Sequence, residues 1–236
     1  MRGGRTVKAD LHIHTLYSPD SLSSLRQIER AALRRGIYVV AITDHNSIRG
    51  AQLLSRWSAL RVIIGEEVAT THGEIIGLFL QSEIPAGLSP LATVRAIAAQ
   101  GGLVCIPHPC DQVRRSSALT PQALAEVLPW VDMIEVFNAR TTYRADLDAA
   151  ESIAARYALL RSAGSDAHTA GEVGRAYVDL PAFTDVASFR EALQHGVVCG
   201  RLSSPLVHVS STAARLSKSI APRQEVDARY RGHTPL

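Results

Sequence analysis

The sequence predicts one α/β barrel of parallel strands that carries its functional residues at the mouth of the barrel. The 236 residues are a normal length for a single barrel domain. Strand-like and helix-like stretches alternate along most of the chain, as in a parallel sheet with helical crossovers. At five places an apolar stretch is followed within one or two residues by His, Asp or Glu. Functional residues at five strand ends favour a barrel over an open sheet, which concentrates its site at one switch point.

The predicted strands are short apolar stretches rich in Val, Ile, Leu and Ala, as in the buried strands of parallel sheets. Aromatic residues make up 5% of the chain, so we expect an aliphatic core. In chain order, the predicted strands cover residues 7–13, 37–42, 61–64, 102–106, 131–137, 158–163 and 176–180, with a further short apolar stretch at 74–80.

Helices are predicted between the strands, where apolar residues recur with helical spacing. In the first helix, Leu25 and Ile28 share a face, and Gly36 ends the pattern. In the third, Ser89 is the expected N-cap and Pro90 the first helical residue. The predicted helices cover residues 21–35, 47–58, 89–100, 120–128, 142–156 and 188–195.

Two segments each place a pair of metal-binding side chains two residues apart. His12 and His14 lie at the end of the first predicted strand, and Asp166 and His168 follow the strand at 158–163. Because residues i and i+2 of a strand point to the same face, each pair is presented to one site. One such histidine is more often a hydrogen-bonded rim residue, but recurrence at five strand ends predicts a metal site. Imidazoles with carboxylates suit zinc, manganese or iron and do not select among them.

The chain closely resembles the PHP (polymerase and histidinol phosphatase) superfamily in a set of motifs that occur in that family's order and spacing. The match runs from about residue 8 to residue 205, and its motifs are His12-x-His14, Asp44-His45, Gly65-x-Glu67, Pro107-His108-Pro109 and Asp166-x-His168. The resemblance implies a distorted (β/α)7 TIM-like barrel with two or three divalent metal ions (Zn, Mn or Fe). It also implies hydrolysis of phosphate esters by a metal-activated water.

The resemblance further implies a set of metal ligands, with Glu67 as a bridging carboxylate. Glu74 stands where the family often has His, and His72, two residues earlier, is the alternative ligand at that position. The implied metal ligands are His12, His14, Asp20, His45, Glu67, Glu74, His108, Asp166 and His168. The predicted catalytic residues are Asp44, His45, Glu67, His108 and Asp166, with Asp44 interpreted as a carboxylate that orients an imidazole.

Binding of a phosphate also requires hydrogen-bond donors beside the metal ions. Arginine is the side chain that meets a phosphate bidentately, and several arginines follow the fourth and fifth predicted strands. The predicted substrate-binding residues are Asn138, Arg140, Arg144 and Arg114.

We predict a phosphoesterase domain over residues 1–210 and a basic, loosely ordered C-terminal tail over residues 211–236. The tail contains five basic and two acidic residues, so it carries the net charge of +3 and no predicted ligand. The rest of the chain has no net charge, which argues against a protein that binds duplex DNA through a broad basic face. The N-terminus lacks the apolar core of a signal peptide, and no apolar stretch approaches the ~20 residues that span a bilayer. We therefore expect a cytoplasmic protein without a membrane partner.

Three functions are compatible with these patterns. The first is a stand-alone metal-dependent phosphoesterase, most simply a phosphoric monoester hydrolase, acting on a small phosphorylated substrate or a nucleotide. The second is a 5′-to-3′ exonuclease or oligonuclease on short single-stranded nucleic acid, which the basic tail would bind, although aromatic stacking residues are few. The third is a non-catalytic polymerase-associated accessory domain. A decayed site of that kind would have lost several ligands. The sequence predicts no particular oligomeric state.

Overall fold

The structure is a computed structural model that describes residues 5–204 and 207–220 of the chain. Its strands are β1 Thr6–Ile13, β2 Ile37–Ile42, β3 Arg61–Thr70, β4 Gly73–Leu78, β5 Leu103–Ile106, β6 Met133–Asn138, β7 Leu160–Gly164, β8 Ala176–Pro181 and β9 Val197–Gly200. Its helices are α1 Leu25–Arg34, α2 Arg49–Ser55, α3 Pro90–Ala99, α4 Pro121–Val127, α5 Arg144–Tyr157, α6 Val186–Gln194 and α7 Val207–Ile220. Within the described ranges, no helix has the length and apolar character needed to cross a membrane.

The strands form one sheet that curls into a nearly closed barrel. Their order in the sheet is β7-β6-β5-β4-β3-β2-β1-β8-β9. The chain beyond β7 returns to the end of β1, where Ile13 and Ala167 form a parallel bridge. There the Asp166 N–H donates to the His12 carbonyl at 2.8 Å, and the His14 N–H donates to the Ala167 carbonyl at 2.9 Å. The predicted barrel is confirmed, and the bonds that close it involve candidate metal ligands.

The sheet is mixed rather than wholly parallel. The pairs β1–β2, β2–β3, β5–β6 and β6–β7 are parallel, but β4 is antiparallel to both neighbours, and β8 and β9 are antiparallel additions beside β1. Strand β3 continues past its predicted end at residue 64 to Thr70 and turns into β4 at Gly73. Gly73 has a φ of +114°, and a Cβ there would collide with the Ala118 backbone, so this hairpin requires glycine. As a result, Glu67 lies inside β3 instead of after it.

Aliphatic side chains support the ligand-bearing ends of the strands. One buried cluster contains side chains from every strand between β1 and β8, including Ile63 of β3 and Met133 of β6. Because alternate residues share a face, Glu67 lies on the face of Ile63, and Glu135 lies on the face of Met133. The apolar cluster therefore forms the floor beneath these carboxylates.

Helix α1 begins at Leu25 rather than at the predicted residue 21, because the serines before it make other bonds. Ser24 is the N-cap and forms a capping box with Gln27. The Ser21 hydroxyl instead donates to the His168 carbonyl at 2.8 Å. This bond ties the loop after β1 to the loop after β7, two loops that carry candidate ligands.

Two elements of the structure were not predicted from the sequence. Strand β9 is a short, partly exposed edge strand, and its four residues show no clear alternation of burial. Helix α7 contains residues 211–220 of the region predicted to be a loosely ordered tail, and the predicted boundary at residue 210 falls inside this helix. For these ten residues the prediction of loose order is corrected to a helix. The rest of the predicted tail, residues 221–236, lies outside the described residues.

Candidate metal centre

All nine candidate metal ligands come together at the carboxyl end of the parallel strands. Each has a ring nitrogen or carboxylate oxygen 3.0–3.6 Å from a second member of the cluster. Seven are buried, and the other two, His45 and Glu74, are half-buried. The ligands come from β1, β3 and β4 and from the loops after β1, β2, β5 and β7.

Four of the ligands form the first group of potential donors, namely His14, Asp20, His45 and His168, whose donor atoms all lie within 4.8 Å of one another. The Asp20 Oδ2 lies 3.2 Å from His45 Nε2 and 3.2 Å from His168 Nε2. The His14 ring lies between the other two imidazoles, with centroid distances of 4.6 Å to His45 and 4.3 Å to His168. This group has enough donors to surround one metal ion.

Two further groups share members with the first. One contains His12, His14 and Glu67, and the other contains His45, Glu67 and Glu74. The Glu67 Oε2 lies 3.5 Å from His12 Nε2, 3.2 Å from His14 Nε2 and 3.3 Å from His45 Nδ1. Each pair of groups thus has one residue in common, and Glu67 occupies the central position that a bridging carboxylate needs.

Two ligands have a backbone conformation that residues other than glycine rarely adopt. The φ angles are +50° at Asp166 and +29° at His108. The Asp166 N–H is bound to the His12 carbonyl, and the His108 N–H donates to Glu135 Oε2 at 2.9 Å. Gly164 allows the close approach of β7 to β1, since a Cβ there would collide with the His12 side chain. Strain of this kind costs about 1–3 kcal/mol per residue and persists where surrounding contacts impose it, typically at functional sites.

The electrostatics of the site favour positive charge at its centre. Burial alone would lower the pKa of His12 and His14, but Asp166 and Glu67 raise the pKa of His12 well above its usual value and that of His14 to about 10. Burial alone would raise the pKa of the Glu67 and Asp166 carboxyls, but facing cations hold both pKa values below their usual range. The main cation is His12 for Glu67 and Arg114 for Asp166. Protons on the imidazoles therefore balance the carboxylates at neutral pH.

Two ligands have pKa shifts in the opposite direction. Burial and the neighbouring His14 lower the pKa of His168 to about 4, so its imidazole is neutral at pH 7. Burial and the charge of Glu67 raise the pKa of Glu74. Glu74 lies in the cluster, with Oε1 3.6 Å from His45 Nδ1, whereas His72 is exposed. Of the two candidates at this position, the structure brings Glu74 to the site.

The donor set fits divalent transition metals. Imidazole nitrogens and carboxylate oxygens are mixed in each group, the combination that zinc, manganese and iron accept. Two buried atoms, Asp20 Oδ1 and His108 Nδ1, have no hydrogen-bond partner in the part of the chain that the structure describes. Buried polar atoms are seldom left in this state, so a bound cation is a reasonable partner for the Asp20 carboxylate.

Glu135 is a site residue that the sequence analysis missed. Its Oε1 lies 3.1 Å from His12 Nδ1, and its Oε2 accepts hydrogen bonds from the His108 N–H and from Asn138 Nδ2, both at 2.9 Å. It therefore orients one candidate ligand and fixes the backbone of another. The available signal was an acidic residue inside the apolar stretch of β6, since such residues are rarely buried without a partner.

Asn138 and Arg114, predicted to bind substrate, both hold Asp166. Asn138 Nδ2 lies 3.2 Å from Asp166 Oδ2, and Arg114 Nη1 lies 2.5 Å from the same oxygen. Arg114 is also held by Asp111, through Nε at 2.9 Å. Because these donors engage Oδ2, the other oxygen of Asp166 faces the imidazoles, 3.4 Å from His14 Nε2.

Asp44 does not orient an imidazole as predicted. Its carboxylate accepts hydrogen bonds from the Thr15 N–H at 2.5 Å and from the Thr15 hydroxyl at 2.7 Å, which fastens the loop after β1. Ser18 instead contacts two ligands. Its hydroxyl lies 3.0 Å from His14 Nδ1 and accepts a hydrogen bond from the His45 N–H at 2.8 Å.

The two remaining arginines have different positions. Arg140 is buried, and its Nη2 donates to the Val207 carbonyl and the Ser211 hydroxyl of α7, both at 2.7 Å. Arg144 is exposed at the first residue of α5 and does not line the pocket above the ligands. The structure therefore does not bring Arg144 to the ligand cluster, and its role in substrate binding stays a prediction.

Helix α7 partly covers a small pocket above the ligands. The pocket has a volume of about 60 Å³, and Ser211 and Arg215 of α7 line it. Arg215 Nη2 lies 2.8 Å from Asp20 Oδ2, and Lys218 Nζ donates to the Leu16 carbonyl at 2.7 Å. Residues that the sequence analysis assigned to a tail are therefore part of the site.

Comparison with known sequences identifies relatives of this chain. A sequence model of the PHP-associated family matches residues 145–198. The uncharacterized protein MJ1587 of Methanocaldococcus jannaschii is 45% identical over 148 residues, which cover 56% of this chain and 82% of that protein.

Comparison with solved structures identifies proteins of the same fold. A two-domain protein of Bacteroides vulgatus containing a predicted PHP-like metal-dependent phosphoesterase superposes with a TM-score of 0.69 and 20% identity, over 85% of this chain and 66% of that one. The lesion-specific endonuclease PfuEndoQ of Pyrococcus furiosus superposes with a TM-score of 0.60 and 16% identity, over 85% of this chain and 60% of that one. This chain therefore spans slightly less than two thirds of each neighbour, and at these identities the likeness establishes the fold.

Proposed function

Since the chain belongs to the PHP (polymerase and histidinol phosphatase) superfamily, we propose that it is a metal-dependent phosphoesterase whose substrate is a small phosphomonoester or a nucleotide. The observation that carries this proposal is the arrangement of three donor groups in which each pair shares one residue. Shared ligands hold ions close together, as in the multi-metal sites that perform phosphoryl transfer.

The donor groups suggest which residues would hold the metal ions. His14, Asp20, His45 and His168 would hold one ion, and His12, His14 and Glu67 a second. His45, Glu67 and Glu74 would hold a third. Two more candidate ligands complete the set: His108 Nε2 lies 3.0 Å from Glu67 Oε1, and Asp166 Oδ1 lies 3.4 Å from His14 Nε2.

The residues around the ligands prepare the site for this chemistry. When bound, the ions supply Lewis acidity to phosphoryl oxygens and lower the pKa of a water that can attack phosphorus. Arg114 and Asn138 hold one oxygen of Asp166, so the other faces the imidazoles. Glu135 holds His12 Nδ1, so His12 Nε2 faces Glu67. These contacts fix the orientation of the ligands before substrate arrives.

Nuclease activity on short single-stranded nucleic acid is the second candidate function. The structural likeness to PfuEndoQ, a lesion-specific endonuclease, is the observation that favours it. Against it stands the small volume of the pocket, about 60 Å³, which helix α7 partly covers. A non-catalytic accessory role is disfavoured because all nine candidate ligands are present and clustered.

The proposal is tested with the full chain after removal of metals by a chelator, verified by elemental analysis. Phosphomonoesters, nucleoside bisphosphates and a short single-stranded oligonucleotide are offered with manganese, zinc or iron added back. We expect no turnover without metal, and turnover of a monoester or nucleotide after at least one metal is restored. Full turnover by the metal-free protein would refute the proposal. Cleavage of the oligonucleotide without turnover of any small substrate would establish the nuclease in its place.

A further inference from the structure

Helix α7 presents one face to the mouth of the metal cluster. Ser211, Arg215 and Lys218 lie at positions i, i+4 and i+7 of this helix and so share that face. Arg140 Nη2 donates to the Ser211 hydroxyl at 2.7 Å, and Lys218 Nζ donates to the Leu16 carbonyl at 2.7 Å. Both ends of the face are fastened to the barrel, and Arg215 lies between the two attachments.

Arg215 differs from the other two arginines that line the pocket. Arg114 is held by two carboxylates, and Arg140 is buried beneath α7. The Arg215 side chain is 63% exposed, but its guanidinium reaches inward to Asp20, which is 1% exposed. This arginine thus enters the pocket from outside, and its partner is a candidate metal ligand.

We propose that Arg215 binds the phosphate of the substrate when a cation neutralises Asp20, and that α7 restricts the pocket to a terminal phosphate. This inference rests on the proposed function. A cation held by Asp20 removes the charge that attracts the guanidinium, because two cations compete for one carboxylate. The guanidinium remains at the mouth of the pocket, since α7 is fastened on both sides of it. A guanidinium binds phosphate oxygens bidentately, which the ammonium of a lysine does not.

The size of the pocket supports a terminal phosphate. Its volume of about 60 Å³ is room for only a few water molecules. Pockets that enclose a whole small molecule are larger, roughly 300–1,000 Å³. A phosphoryl group can enter beneath α7 while the rest of the substrate stays outside. An internal phosphodiester carries substituents on both sides and would have to displace the helix.

The test compares Arg215→Ala and Arg215→Lys with Arg30→Ala, which removes an exposed arginine of α1 that does not line the pocket. Inorganic phosphate is titrated by calorimetry into the manganese-loaded full chain. The kcat and KM are measured with p-nitrophenyl phosphate and with bis(p-nitrophenyl) phosphate. We expect Arg215→Ala to weaken phosphate binding and raise the monoester KM by about ten- to a hundredfold. Arg215→Lys should recover part of the loss, Arg30→Ala should match the wild type, and the wild type should prefer the monoester.

Manganese titration of the metal-free proteins separates this role from a purely structural one. If Arg215 only neutralises Asp20, Arg215→Ala will bind manganese more tightly and phosphate as well as the wild type does, and the inference is overturned. Faster hydrolysis of the diester by the wild type would overturn the restriction to a terminal phosphate. Absence of all metal-dependent turnover in the wild type would remove the proposed function, while phosphate calorimetry would still decide whether Arg215 binds phosphate.

Discussion

Replacement of Glu135 by glutamine should weaken metal binding by favouring the wrong tautomer of His12. Two donors, the His108 N–H and Asn138 Nδ2, point at Glu135 Oε2 from 2.9 Å, and His12 Nδ1 lies 3.1 Å from Oε1. With a carboxylate in this place, His12 Nδ1 carries a proton and donates it to Oε1. The Nε2 lone pair then faces the metal cluster.

Glutamine cannot serve both sides of this arrangement. Its carbonyl oxygen must replace Oε2, because two donors point there, and its NH2 group then faces His12 Nδ1. If His12 keeps its proton on Nδ1, that hydrogen faces a hydrogen of the NH2 group. If the proton moves to Nε2, it occupies the nitrogen that would bind the metal. Loss of a partner that orients a ligand typically costs about 10- to 100-fold in metal affinity. That factor corresponds to about 1.4–2.7 kcal/mol.

The assay is competition for manganese or zinc with a chromogenic chelator, and Glu66→Gln is the matched control. Glu66 is also a buried glutamate within a strand, but it faces away from Glu67, and its Oε2 accepts from the Ile84 N–H at 2.8 Å. Burial raises the pKa of Glu66 to about 7, so this carboxyl is already partly neutral at pH 7. We expect weaker metal binding in Glu135→Gln alone. Wild-type affinity in that variant, or an equal loss in both variants, would refute the tautomer argument.

Four further predictions concern the ligands themselves. His14→Ala and Asp166→Ala should each abolish metal-dependent turnover without unfolding the barrel. The control is His195→Ala, at an exposed histidine after α6, which should retain turnover; rates and thermal melts measure both effects. Metal binding should release protons, because the pKa of His14 is raised to about 10 and a ligand imidazole must be neutral. Apparent manganese affinity should therefore rise with pH between 6 and 9, by up to about tenfold per unit for each proton released, and calorimetry in several buffers counts those protons. In the metal-free protein, the raised pKa should stabilise the fold fully below pH 6.5, with the contribution lost as pH rises toward 10. Glu74→Gln should lower the number of bound metal ions measured by elemental analysis, and His72→Ala should leave it unchanged.

The barrel and the clustering of the paired candidate ligands could be predicted because their signals are local. A ligand that directly follows an apolar strand is visible in a few consecutive residues, and spacing of two residues within a strand determines which side chains share a face. His12 with His14, and Asp166 with His168, have this spacing, and the structure brings both pairs to one cluster. The alternation of strands and helices predicted most of the remaining architecture, but not the antiparallel direction of β4 and β8 or the presence of β9 and α7.

The parts that were missed depend on contacts between distant residues. Glu135 belongs to the site because β6 places it beside His12, 123 residues away in sequence. Asp44 was expected to orient an imidazole, but its carboxylate is instead bound by Thr15, which follows the neighbouring strand β1. The position of Arg144 depends on where α5 begins, and element boundaries are weakly encoded in local sequence.

Helix α7 changes the interpretation of the basic C-terminal region. As a sequence pattern, positive charge there is equally compatible with a solvated tail and with a strand-binding segment. In the structure, Arg215 contacts Asp20, and Lys218 donates to the carbonyls of Leu16 and Ser18, so two of its positive charges are engaged within the molecule. Charges held in this way contribute little to the salt-dependent capture of a nucleic acid strand, which requires cations free to meet phosphates along its length. The same contacts place a guanidinium beside the ligand cluster, where a single phosphate can reach it. Among the described residues, the contacts of this helix therefore favour a small substrate with a terminal phosphate over a strand.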